Sequence, residues 1–257
     1  MDIMSRSRHI AGAGTTAQAW AQDTALAAVP FSTLESMVPP GRRVVVVAPH
    51  PDDEILACGA LLHLVAQRGE SPLIVAVTDG EASHPGSRAW PPERLREARA
   101  NETVAALACL GIDAPNLVRL GIADGGVRAF EHELAQRLAQ LFAPGDIVIT
   151  TWRHDGHPDH EACARACMAA ALDTGARLLQ APVWGWHWSA PGDGALPLEK
   201  AWRLPVPPSA VARKRAALAC FTSQIEPDPG NGAAPILPGF AMERLLHPFE
   251  LYLDDHA

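Results

Sequence analysis

Val44-Val45-Val46-Val47-Ala48-Pro49-His50-Pro51-Asp52-Asp53-Glu54 begins as an unbroken apolar run and ends on an imidazole and three carboxylates. A short run of valines with no polar alternation predicts a strand buried on both faces, as in a parallel sheet. The helix expected next, Ile55–Gln67, is closed by Gly69. The histidine and the acids therefore lie where a strand stops and a helix starts. In open α/β sheets that is where ligands bind, outside the carboxyl ends of the strands.

The same rhythm continues outward. Strands are expected at Pro72–Thr78, Leu117–Leu120, Ile147–Thr151, Leu178–Trp186 and Pro248–Leu253, and helices at Pro92–Leu110, Phe130–Phe142, Asp159–Thr174 and Ser209–Cys220. Strands alternating with helices of three or more turns predict βαβ units, hence a Rossmann-like α/β fold. Its sheet should be mostly parallel, with helices on both faces. Residues 1–40 are read as an N-terminal arm carrying a helix near Thr16–Ala28, and residues 41–257 as one domain. The last third is rich in proline and glycine and predicts an elaboration over the strand ends.

A second cluster, His154-Asp155-Gly156-His157-Pro158-Asp159-His160, follows the apolar run that ends near Thr150. Two acid–imidazole clusters at two strand ends supply what a mononuclear metal site needs. A catalytic zinc uses three protein ligands and keeps one position for water. Counted that way, His50, Asp53 and His160 are the ligands and Asp52 is left beside the metal as a general base. His157 and His160, at i and i+3, can share one side of the helix start, with His157 toward the reacting carbonyl and Asp159 fixing a ring tautomer. First-turn acids complementing a helix dipole would account for either cluster alone, but not for a His-Pro-Asp order in both.

Composition narrows the remaining classes. With 257 residues, 48% hydrophobic and 19% charged, the chain can bury a full core and is not disordered. A net charge of −8 argues against nucleic-acid binding. No apolar run is long enough for membrane insertion, and Met1–Gln22 does not read as a secretory signal. Five scattered cysteines are expected to be buried thiols in a reducing cytoplasm. Trp184, Trp186 and Trp188 would share one strand face, suited to a core or subunit contact, with stacking on a sugar or an apolar aglycone the alternative. The sequence leaves the oligomeric state open, a homo-oligomer included.

The two motifs, with Arg99-x-x-Glu102, Leu120-Gly121-x-x-Asp124-Gly125 and the late Lys214, Ala217 and Ser223-Gln224, resemble the PIG-L/LmbE-like family. Its members are zinc-dependent deacetylases of N-acetylglucosaminyl conjugates. The resemblance covers about Arg43 to Leu253, and the residues before Arg42 have no counterpart in it. It implies the same zinc ligands (His50, Asp53, His160), Asp52 as general base and His157 as stabiliser of the tetrahedral intermediate. It also implies that Arg99 and Asp124 reach the hydroxyls of a small-molecule N-acetyl sugar conjugate. Zn2+ is the expected cofactor, with Fe2+ or another divalent metal open. Two alternatives stand: a two-histidine, one-carboxylate Fe(II) enzyme, and a non-catalytic carbohydrate-binding relative.

Overall fold

The computed structural model describes residue 8, residues 10–113 and residues 116–254. After the short helices α1 (Ala17–Ala21), α2 (Thr24–Ala28) and α3 (Leu34–Met37), the chain enters β1 (Val44–Ala48) and α4 (Asp53–Gln67). Next come β2 (Leu73–Ala76), α5 (Pro92–Cys109), β3 (Asn116–Arg119), α6 (Glu131–Leu141), β4 (Ile147–Thr151), α7 (Pro158–Thr174) and β5 (Arg177–Ala181). The last part holds α8 (Gly185–Trp188), β6 (Ala201–Pro205), α9 (Pro208–Leu218), α10 (Thr222–Ile225), α11 (Gly239–Glu243) and β7 (Phe249–Leu253).

Seven strands form one sheet in the order β3-β2-β1-β4-β5-β7-β6. The first five run parallel, whereas β7 is antiparallel to both β5 and β6. This is the mostly parallel, Rossmann-like architecture expected from the sequence. The valine run of β1 splits between two cores. Val44 and Val46 pack with α4 and α9, and Val45 and Val47 pack with α6 and α7. A strand buried on both faces needs apolar residues at every position, which is why β1 shows no alternation.

The order also explains where the motifs meet. The chain leaves β1 for β2 on one side, and β4 later pairs with β1 on the other. A crevice opens at the carboxyl ends of strands where the winding direction reverses. The His50 loop follows β1 and the His157 loop follows β4, so both motifs lie at that switch point.

Three local expectations are corrected. The strand expected over Leu178–Trp186 ends at Ala181, because Pro182 interrupts it and residues 185–188 form a helical turn. The three indoles therefore do not share a strand face. Trp186 meets Trp20 edge to face at 5.1 Å, Trp188 stacks on Trp152 at 5.9 Å, and Trp184 lines the central cavity. The N-terminal helix is broken in two at Asp23, whose side chain accepts from the Ala25 N–H and starts α2. Strand β6 was not predicted: its Pro205 and the proline-rich flanks read as loop, and it is tolerated because β6 is a sheet edge.

Helix α4 is interrupted at Cys58 (φ −147°, ψ 25°). The N–H groups of Ala60 and Leu61 donate to the Glu250 carboxylate, each at 2.8 Å, instead of to the preceding helical turn. The freed carbonyl of Leu56 accepts from Lys214 Nζ at 2.9 Å, and Lys214 pairs with Glu250 at 2.7 Å. Tyr252 donates its hydroxyl to the same carboxylate at 2.8 Å. A buried ion pair from α9 and β7 thus replaces the missing helical bonds, so the kink leaves those groups hydrogen-bonded.

Candidate active site

Three loops deliver the site: residues 49–53 after β1, residues 120–127 after β3, and residues 152–160 after β4. Asp52 has φ 120°, the only positive φ among the described non-glycine residues. That conformation is strained for a residue with a Cβ, and such strain collects at functional sites. It leaves Asp52 at the N-cap position of α4 without a side-chain capping bond. Its carboxylate instead accepts from Arg99 Nη2 at 3.0 Å. Its N–H donates to Glu54 Oε2 at 3.0 Å.

Arg99 is buried, and also donates to the carbonyls of Gly80, at 3.0 Å, and Pro51. Gly80 is needed there: its φ is +66°, and a Cβ would stand 1.9 Å from the Arg99 guanidinium. Glu102, one turn along α5, accepts from the Ser223 N–H and hydroxyl at 2.8 and 2.7 Å. The Arg-x-x-Glu pair thus ties α5 to both the first motif and the late Ser-Gln segment.

Asp53 Oδ2 lies 3.2 Å from both His50 Nδ1 and His160 Nε2, and also accepts the His50 backbone N–H at 3.0 Å. The other edge of His50, Nε2, faces Asp124 Oδ1 at 3.2 Å and Asp159 Oδ2 at 3.4 Å. The His157 ring stands 4.8 Å from that of His50 and 4.9 Å from that of His160, centroid to centroid. All eight residues singled out in the sequence, with Trp184 and Leu56, converge here, and all but the buried Asp159 line one cavity of about 500 Å³.

Asp155 does a job that the sequence left unassigned. Fully buried, it accepts from His160 Nδ1 at 2.8 Å and from the N–H groups of Val183, Trp184 and Gly185 at 2.8–2.9 Å. It therefore sets the His160 tautomer, with Nε2 turned toward Asp53. Asp159, expected to orient a ring, accepts mainly from Gly125 and Val127 N–H, at 2.7 and 3.2 Å, and so anchors the Asp124 loop. The i, i+5 relation of Asp155 to His160 crosses a turn, and no periodicity announces it.

The electrostatics are uneven. Burial opposes the charged form of Asp53, but His160 and His50 hold it well below the usual carboxylate range. Burial likewise works against protonated His160 and His50. The charge of Asp53 and the bond to Asp155 still lift His160 to about 9, and bonds to Asp124, Asp159 and Asp53 raise His50. Burial and the two neighbouring imidazoles push His157 down to about 3. Burial raises Asp52 to about 7 against the pull of Arg99, and raises Glu54 to about 8.

The donor set suits a divalent cation. His50 Nε2 can carry only one proton, yet two carboxylates crowd it. Ligand atoms of His50, His157 and His160 lie within 4.8 Å of one another, as do those of His50, Asp124 and Asp159. Imidazole nitrogens mixed with carboxylate oxygens fit zinc, and fit Fe(II) as well.

Comparison with known proteins fits this geometry. The family described as PIG-L, GlcNAc-PI de-N-acetylase, matches residues 45–171. A 1D-myo-inositol 2-acetamido-2-deoxy-alpha-D-glucopyranoside deacetylase of Mycolicibacterium gilvum is 30% identical over 60% of this chain and 61% of its own. The chain spans less than two thirds of the length of the curated relatives it matches. Among solved structures, the N,N'-diacetylchitobiose deacetylase of Pyrococcus horikoshii has a TM-score of 0.58 at 17% identity, covering 75% of this chain and 74% of its own. A 4-carboxy-2-hydroxymuconate hydratase of Pseudomonas putida KT2440 scores 0.55 at 19% identity, covering 71% of this chain and 80% of its own. These two likenesses speak for the fold alone, since one fold hosts several chemistries. The matched family segment runs from the first motif through the second, and with it this chain carries a domain of the PIG-L family.

Proposed function

We propose that residues 41–257 form a metal-dependent hydrolase domain that removes an acetyl group from a small-molecule N-acetylated amino sugar conjugate. The observation that carries this reading is Asp52. A buried carboxylate lies beside a cluster of imidazoles and carboxylates, on strained backbone, facing the cavity, with its pKa lifted to about 7. Binding alone would not call for a base so placed. The deacetylase named above, from Mycolicibacterium gilvum, supports the substrate class.

His50, Asp53 and His160 would hold the ion, zinc in the first instance. Such an ion supplies Lewis acidity to the acetamide carbonyl and to the attacking water. Asp52, restrained by Arg99, takes the proton of that water. His157 Nδ1 accepts the Asp159 N–H at 3.3 Å, so its proton resides on Nε2. A neutral ring in that tautomer donates a hydrogen bond to the oxyanion without adding a repulsive cation between His50 and His160. Asp52 then returns its proton to the leaving amine.

The test is acetate release from a panel of N-acetylated sugars, nucleotide sugars and thiol glycosides, with and without a chelator. Chelator-sensitive release from at least one member is expected. Failure of the zinc-reconstituted protein across the panel would overturn the reading.

A further inference from the structure

Arg244 is buried, at 2% exposure, and no carboxylate pairs with it among the described residues. Its guanidinium donates to the carbonyls of Thr15 and Ala13 and, at 2.8 Å, to His187 Nδ1. A ring that accepts at Nδ1 carries its proton on Nε2, and His187 Nε2 lies 3.1 Å from the carbonyl of Ala11. The Thr15 N–H donates to the His187 carbonyl at 2.9 Å and the Thr15 hydroxyl to the Ser189 carbonyl at 2.5 Å. Gly14 has φ +58°, and a Cβ on it would stand 2.6 Å from the His187 carbonyl oxygen. Burying a cation is costly unless its donors are satisfied. Two of the acceptors here are main-chain carbonyls of residues 13 and 15.

The other end of this segment is held as well. Arg8 pairs with Glu161 at 2.5 Å, and its carbonyl lies against Gly156 in the second motif. Between the two anchors, half-buried Ile10 enters the cavity that holds His50, Asp52 and His157. Trp184, Ile236 and Leu237 line the same cavity, which gives an acid–imidazole floor an apolar flank.

We propose that residues 10–15, anchored on one side through Arg8, are a fixed wall of the substrate site and that Ile10 determines which aglycone fits. The substrate class is an N-acetyl amino sugar bearing a compact apolar aglycone: the sugar's acetamide reaches the floor, and the aglycone packs on Ile10 and Trp184. This rests on the deacetylase reading. Arg244 and His187 act as positioning residues, holding the wall without touching substrate.

The experiment compares the full-length, zinc-loaded wild type with Ile10→Ala, Ile10→Asp and Arg244→Met. Acetate release from the methyl and benzyl glycosides of N-acetylglucosamine is measured. The wild type should prefer the benzyl glycoside in kcat/KM. Ile10→Ala should reduce that preference by about 10-fold, the scale of a few lost apolar groups, and Ile10→Asp by more. The loss should fall mainly in KM for the benzyl glycoside. Arg244→Met should show the same loss of preference together with faster amide exchange at residues 11–15. An unchanged benzyl-to-methyl ratio in both Ile10 variants would overturn the proposal, even if Arg244→Met does not fold. If the wild type releases acetate from neither glycoside, the deacetylase reading is decided separately by the wider panel. Calorimetric affinities for the same two glycosides then decide the wall: a reduced ratio in Ile10→Ala supports it, and equal ratios refute it.

Discussion

Two buried charge clusters lie along helix α4, one at its start and one at its kink, and they are built on opposite principles. At the kink, Lys214 and Glu250 pair one to one, and every oxygen of Glu250 accepts from a named donor. At the start, Asp53, Asp124 and Asp159 crowd His50, Glu54 Oε1 and Arg99 Nε have no hydrogen-bond partner, and Asp52 sits in strained backbone. Burial of charge is thus common to both and distinguishes neither. What sets the active-site cluster apart is that its charges do not close on themselves, which leaves donors and acceptors available for an ion, a water and a substrate.

The sharpest way to break this contrast is metal removal. A strong chelator should abolish acetate release entirely while thermal unfolding of the Lys214–Glu250 region, followed by near-ultraviolet circular dichroism, is retained. A chelated protein that remains fully active would put the two clusters on equal terms. Next in size, Lys214→Met leaves the Glu250 carboxylate buried with no cation, and a broken buried pair costs about 3–5 kcal/mol. Denaturant titration should show that loss, with turnover per folded molecule retained. Asp52→Asn should do the reverse, lowering turnover by about 10²-fold or more with zinc content and unfolding midpoint close to wild type. Wild-type turnover in that variant would remove Asp52 from the reaction. The smallest effect is expected of Asp155→Asn, which disturbs His160 from behind. Metal affinity should fall by about 10–100-fold, read by competition with a chromophoric chelator.

Much of the fold could be read directly, because its elements carry local signals. The valines of β1 gave strand bounds that coincide with the structure, and α7 begins at Pro158, one residue before the expected start. The failures have physical causes. Residues 184–188 contain three tryptophans, which favour strands, yet the Asp155 carboxylate gathers the N–H groups of Val183, Trp184 and Gly185 and bends the chain into a turn. The kink of α4 depends on Glu250, some 190 residues away, so nothing in the Ile55–Gln67 pattern foretells it. Arg99 reads as an exposed mid-helix arginine, and only the packing of α5 against the first loop aims it at Asp52.

The sequence by itself determined the α/β class, the two strand-end motifs and the acid and imidazole side chains that those motifs carry. Those properties follow from hydrophobic periodicity and side-chain chemistry, which are local. Only the tertiary structure decided that β1 and β4 are neighbours at the switch point of the sheet, that Asp155 orients His160, and that Ile10 lines the cavity. Each of these depends on contacts between segments far apart in the chain. Such contacts are selected by the burial of two whole sheet faces and by the need to satisfy every buried charge, and no short stretch of sequence encodes them.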